Sequence, residues 1–266
     1  MSDRSYYLFE DDRLLIPDEC LWSASLSDGQ TNAISCPPSE DELVAMPGWG
    51  INIHSSSTHF FWELADRRTL TPVVVRTPRG GGRPTIVAKD LIFWAAHGDD
   101  IIGQSQSTGT LKQYSISTGI TSNLAPKDLW CRDRRCGRVR ITGSHIYWTM
   151  LRADREPIVT SVARMPRSGG EAIAVTNEVP WATDDNLGAL DGDQWLLAGS
   201  SEANVIEIRA LDLGADVFPT AFPIVATARL SGDPFPWSLA ADGACFYVSV
   251  VPKWRLAGAV VKIARE

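Results

Sequence analysis

The chain has 266 residues, enough for two ordinary domains or for one large all-β domain. It is 44% hydrophobic with 21 Gly, 16 Pro and 10 Trp and lacks any low-complexity tract, which excludes a disordered or fibrous protein. Lys plus Arg number 25 against 32 Asp plus Glu, and the resulting formal net charge of -7 excludes a general grip on phosphate backbones, so nucleic acid is not an expected partner.

From the N-terminus, MSDRSYYLFEDDRLLIPDEC has no basic start leading into an apolar run and a small-residue cleavage site, and nowhere do 18 apolar residues follow one another. A soluble, cytoplasmic chain without membrane partners is the expectation. The five Cys (Cys20, Cys36, Cys131, Cys136 and Cys245) form no CxxC pair and no zinc-type spacing, so free, mostly buried thiols are expected. Cys131 and Cys136 could bridge their loop if oxidised.

An aromatic pattern after a short polar turn then recurs six times: DECLWSAS at Trp22, STHFFWEL at Trp62, KDLIFWAA at Trp94, GSHIYWTM at Trp148, DGDQWLLA at Trp195 and DGACFYVS at Tyr247. The mean spacing is about 45 residues, the length of a four-stranded propeller blade. Apolar runs ending in Gly-rich turns follow several copies (TPVVVRTPRGGG, TLKQYSISTG, IVTSVARMPRSGG, NVIEIRALDLG), and shorter runs such as GRVRITG and PWSLAADG precede others. Helical periodicity is nearly absent.

The spacing predicts a single all-β domain over residues 1–266, a six-bladed β-propeller with five or seven blades as alternatives. The short interval from Trp62 to Trp94 predicts a reduced outer strand in the second blade, and the long one from Trp94 to Trp148 a long loop into the fourth. Because the last copy stops after GAVVKIARE, residues 5–9 are expected to supply the missing outer strand and so close the last blade.

The motif IYWT followed by RMPRSGG, with the DG turns in LDGDQWLL and ADGACFYV, resembles the bacterial relatives of the YWTD propellers of low-density-lipoprotein receptors. That resemblance implies six blades and, by the receptor relatives, a protein-binding face, and it carries over no catalytic residue. The family's Asp after YWT is Met150 here, so whatever that Asp stabilises must be met otherwise.

Candidate ligand contacts lie where loops lead into the first strands of the blades. Those loops carry Trp49, Trp130, Trp181 and Trp237, whose indoles suit an aromatic ring, a sugar face or a peptide anchor, or else plug the channel end. Arg138 and Arg140, two apart in a predicted strand, would share one side and offer guanidinium forks to a carboxylate or phosphate. Asp184 and Asp185 approach the same mouth, and His54 shares a strand face with Asn52.

Two functions fit: a binding module for a peptide, a partner protein or a small acidic or aromatic molecule, or a small-pathway lyase, cyclase or hydrolase. In the second, His54 or Asp184 is the base and Arg138 and Arg140 hold developing negative charge. His97, Asp99 and Asp100 are metal-capable types without ligand spacing, RGGGRP reads as a turn, and no GxSxG, P-loop or Rossmann pattern occurs. No metal and no cofactor are therefore expected.

Overall fold

The computed structural model describes residues 8–10, 12–25, 27–38, 43–45, 53–126, 135–152, 159–177, 179–180, 188–191, 194–199, 202, 204–215, 223–231, 234–241, 244–252 and 259–265. These residues contain strands and turns and no helix. The chain divides into two compact units, Met1–Trp130 and Cys131–Glu266.

In the first unit, the first sheet runs in chain order through β1 (Leu8–Glu10), β2 (Arg13–Pro17), β3 (Leu21–Ser25) and β4 (Thr31–Ser35). In the second, β5 (Leu43–Val44) and β6 (Ile53–Ser55) both pair with β7 (His59–Asp66), followed by β8 (Pro72–Pro78) and β9 (Thr85–Lys89). The third is β10 (Ile92–His97), β11 (Asp100–Gln104), β12 (Leu111–Ser115) and β13 (Thr121–Ala125). The pairings are antiparallel, so each sheet is an up-and-down meander cut from one stretch of chain, the construction of a propeller blade.

The apolar runs of β7 and β8 follow from burial on both faces. Phe60, Trp62, Leu64, Val73 and Val75 pack with Leu15 and Leu21 of the first sheet, while Phe61 and Val74 pack with Phe93, Ile101 and Tyr114 of the third. Successive side chains alternate between two cores, so no polar alternation survives in the sequence.

In the second unit, β14 (Arg135–Ile141), β15 (His145–Arg152) and β16 (Val159–Pro166) form a sheet whose last strand also pairs with β17 (Ile173–Ala174) and β18 (Val179–Pro180). Next come β19 (Gly188–Asp191), β20 (Gln194–Gly199), β21 (Val205–Asp212) and β22 (Ile224–Arg229), and finally β23 (Pro234–Ala241), β24 (Cys245–Pro252) and β25 (Ala259–Ala264). The same two-sided logic holds. Trp195, Leu197 and Leu211 pack with Tyr147 and Val162, whereas Leu196, Ala198 and Ile208 pack with Phe246, Val248 and Ile263.

Several expectations need correction. Five sheets have at least four strands and the last has three, so the described residues show five complete blades instead of six. Of residues 5–9, expected to close the last sheet, 5–7 lie outside the described residues, and Leu8 and Phe9 pair instead with Leu15 and Leu14 of the neighbouring strand β2. Trp62, Trp148, Trp195 and Tyr247 stand on second strands, but Trp22 lies on the third strand of its sheet and Trp94 on the first. That shift in phase, not a lost strand, accounts for the uneven spacing, and β9 is present at full length. Finally, Cys20 and Cys36 are joined in a disulfide, not free: they flank the paired residues Leu21 and Ser35, so the β3–β4 register brings them together.

Candidate functional site

The first two strands of the fourth sheet are joined by a turn, Thr142–Gly143–Ser144–His145, closed by its own side chains. The Thr142 hydroxyl accepts the His145 N–H at 3.1 Å and lies 3.3 Å from the His145 carbonyl, while Ser144 Oγ and His145 Nδ1 are 2.8 Å apart. The chain returns past this turn after β16. There Arg167 donates its backbone N–H to the Ser144 carbonyl at 3.0 Å and its guanidinium to the Thr142 and Gly143 carbonyls, both at 3.4 Å.

The same device occurs in the first unit. Ser56, Thr58 and His59 repeat the bonds of Thr142, Ser144 and His145, with Thr58 Oγ1 and His59 Nδ1 again 2.8 Å apart, and Arg79 caps the turn through Thr58 and Ser56 carbonyls. The sequence basis is a paired motif. Residues 56–62 and 142–148 both read [ST]-x-[ST]-H-x-[FY]-W, and residues 76–82 and 164–170 both read R-x-P-R-x-G-G.

Beside the turn of the second unit lies an open cleft of about 420 Å³. Thr142 to His145, Tyr147 and Arg164 form one wall, and Leu213, Gly214 and Ala215 after β21 form the other. The Tyr147 hydroxyl donates to the Leu213 carbonyl at 3.1 Å, fixing the floor, and its ring lies 6.0 Å from that of His145. Gly214 N–H is held by the Asp212 carboxylate at 2.9 Å, which shapes the opposite rim. Burial, and then the nearby Arg164 guanidinium, lower the His145 pKa, which favours the neutral imidazole. The cleft therefore combines a guanidinium, an imidazole, a hydroxyl and an aromatic floor, in a volume within the range of small-ligand sites.

The residues expected to line a channel mouth are placed as follows. Trp49, Asn52, Trp130, Trp181, Asp184 and Asp185 lie outside the described residues, as does Cys131. Arg138 and Trp237 are in β14 and β23, and each is the extra residue of a β-bulge, as Trp94 is in β10. Because the bulge interrupts the alternation, the two-residue spacing of Arg138 and Arg140 does not by itself put them on one side. The side chains of Arg138 and Trp237 lie outside the described residues.

Arg140 is half-buried, with its guanidinium carbon 6.0 Å from the centre of the Trp195 ring and Nη1 donating to the Val139 carbonyl at 3.1 Å, so it packs between sheets. His54 on β6 is half-buried opposite Phe61, 6.4 Å between ring centres; burial, then the charge of His97, lowers its pKa. Asp99 is occupied by the Ser115 and Ser117 hydroxyls and the Ser117 N–H, closing the β12–β13 turn. Among the described residues, no three metal-capable side chains come together.

The cleft residues Ser144, His145 and Arg164 fall within GSHIYWTM and RMPRSGG, segments that read as scaffold in the sequence. The signal the sequence did offer is the comparison of the two motif copies: with the turn shared, the second has Tyr147, whose hydroxyl reaches Leu213, where the first has Phe61.

No protein-family model and no curated protein matches the sequence. Solved structures do match in fold. An oligogalacturonate lyase in complex with manganese aligns over 96% of this chain and 74% of its own, at 11% identity and a TM-score of 0.61. A chain of a nidogen/laminin complex aligns over 90% and 87%, at 16% identity and 0.54. TolB from Acinetobacter baumannii aligns over 94% and 61%, at 15% identity and 0.51. The fold is an all-β propeller. At these identities the likeness carries the fold alone, and the similar structures include both binding proteins and an enzyme.

Proposed function

We propose that this propeller is a binding module and that its recognition site is the cleft between the Thr142–His145 turn and Leu213–Ala215. One observation carries the reading: the cleft gathers an Arg, a His, a Ser and a Tyr ring around about 420 Å³ of open space beside a turn whose geometry is locked from within. A preorganised polar wall of this kind costs little ordering on binding.

Catalysis is the weaker reading. The Ser144–His145 contact resembles a nucleophile with its base, but it recurs as Thr58–His59, where the hydroxyl and imidazole close a turn. Arg140, expected to hold developing charge, is engaged with Trp195 and a backbone carbonyl. A channel mouth lined by Trp49, Trp130, Trp181 and Trp237 would be a second contact region of the same binding module, and a peptide or partner protein its occupant.

That residues 1–266 act as a single YWTD-like propeller domain, with the three-stranded sheet as an incomplete sixth blade, belongs to this proposal. The cytoplasmic location expected from the N-terminal sequence also belongs to this proposal; a Cys20–Cys36 bond that persists in the cell would favour an oxidising compartment instead.

The test is selection of peptides from a displayed random library on the intact protein, repeated with Ala215→Trp, which fills the cleft. Enriched peptides should bind wild type and lose at least tenfold in affinity on the variant. Equal binding to both proteins would place recognition elsewhere.

A further inference from the structure

The end of β4 carries more than its own pairing supports. The β3–β4 ladder runs Ala24↔Thr31, Ser23↔Asn32 and Trp22↔Ala33 and then shifts register, so Ile34 is the extra residue of a bulge and one pair, Leu21↔Ser35, lies beyond it. A bulge disrupts the ladder locally. Yet these last two residues of β4 bond the first sheet to the second. The Ile34 carbonyl accepts the Gly82 N–H at 3.3 Å, Ser35 Oγ donates to the Gly82 carbonyl at 2.5 Å, and Thr77 Oγ1 donates to Ser35 Oγ at 3.2 Å.

The next residue, Cys36, is bonded to Cys20, 16 positions earlier and just before Leu21. The bridge thus clamps the strand end past its bulge, where the ladder holds it least. Cys36 is exposed and Cys20 half-buried, whereas Ser35 and Thr77 behind them are buried. An exposed bridge is within reach of a thiolate in solution and belongs to the reducible kind. The two sheets also share the core of Leu15, Leu21, Phe60 and Trp62, which does not depend on the bridge.

We propose that Cys20–Cys36 is a redox latch: a dithiol reductant opens it and frees the end of β4 from the Gly81–Gly82 turn, loosening the junction between the first two sheets while the shared core keeps them folded. One thiolate of the dithiol attacks the exposed Cys36 Sγ, the S–S bond breaks, and its electron pair leaves on Cys20 Sγ, which takes up a proton. The second thiol then displaces Cys36 and closes the reductant's own disulfide, so two electrons pass to the protein and two cysteine thiols result. The latch is independent of the cleft and goes beyond recognition by making the fold responsive to the thiol state around it.

The experiment adds dithiothreitol to the intact protein, locates opened cysteines by alkylation and peptide mass, and follows amide exchange by NMR. The bridge is expected to open without unfolding. Exchange at Gly82, whose N–H is bonded to Ile34, should speed at least tenfold, while Gly119, whose N–H is bonded to Ser115, stays unchanged. Reoxidation should restore the slow rate. Cys36→Ser, which cannot form the bridge, should exchange fast at Gly82 with or without dithiothreitol, and this separates the bond from effects at other cysteines.

A bridge that opens only in unfolded protein, equal Gly82 exchange in both redox states or in Cys36→Ser and oxidised wild type, or acceleration at Gly119 as large as at Gly82 would overturn the proposal. So would failure of both Cys36→Ser and Cys20→Ser to fold, since the bond would then be a staple of the fold and not a latch.

Discussion

Glu63 is a fully buried carboxyl at the position where the other motif copy has Thr149. One oxygen accepts the Phe93 N–H at 2.9 Å, and Oε1 has no hydrogen-bond partner. Burial, only partly offset by that bond, pushes its pKa from 4.5 up to about 8. The folded protein therefore keeps a proton that the unfolded chain releases above pH 4.5, and stability falls as pH rises from there toward 8, by up to about 1.4 kcal/mol per unit. Urea unfolding of wild type and Glu63→Gln between pH 5 and 8 should show a decline in the wild type that the variant lacks, and parallel curves would contradict the buried acid.

Leu70 is strained in its backbone: its φ is +53° and it is 47% exposed. Turns 25–30, 105–110 and 115–120 share its hydrogen-bond pattern and carry Gly29, Gly109 and Gly119 at the corresponding position, with φ of 71°, 70° and 70°. Leu70→Gly should stabilise by about 1 kcal/mol, because it relieves a left-handed Cβ clash and gives up little burial. A fall in the thermal midpoint would refute this. The turn at 66–71 is legible as a turn, but its backbone sign is not, since DRRTLT has no Gly to announce it.

At the scale of elements, the Gly-rich turn after β8 shows how sheets of the first unit are joined. Gly82 N–H reaches the Ile34 carbonyl at 3.3 Å, and the buried chain from Trp62 Nε1 through Thr77 to Ser35 links the same two sheets at 3.2 Å per step. A Cβ on Gly81 would stand 2.7 Å from the Ile34 oxygen, at a φ of +90°, whereas one on Gly80 would meet nothing within 4 Å. Gly81→Ala is therefore expected to destabilise by about 1–3 kcal/mol in chemical denaturation while Gly80→Ala stays near wild type; equal midpoints would deny the junction its role. Strands of this kind were legible because β-branched runs and turn residues mark them locally. Their ordinal place in each sheet was not: Trp22, Trp94 and Trp148 follow similar turns yet occupy third, first and second strands, and they range from 37% exposed at Trp22 through half-buried at Trp94 to fully buried at Trp148, differences that the local sequence does not mark.

At the scale of the whole molecule, the repeat length carried the architecture, and the sequence drew the search for chemistry to the other end of the sheets from the cleft, to loops most of whose candidate residues lie outside the described ones. Loops leading into first strands drew attention through their Trp residues, while the cleft is framed by hairpin turns at the opposite end of the fourth sheet and by the turn after β21. Its residues were hidden because Ser144 and His145 also perform a structural task that the first unit duplicates. The Cys20–Cys36 pairing was equally hidden, for it depends on the β3–β4 register and not on any cysteine motif. The central claim is that recognition takes place at this cleft. Hydrogen exchange of the protein with a selected peptide bound tests it most directly: slowed exchange is predicted at residues 142–145 and 213–215, and protection confined to 181–187 and 232–237 would contradict it.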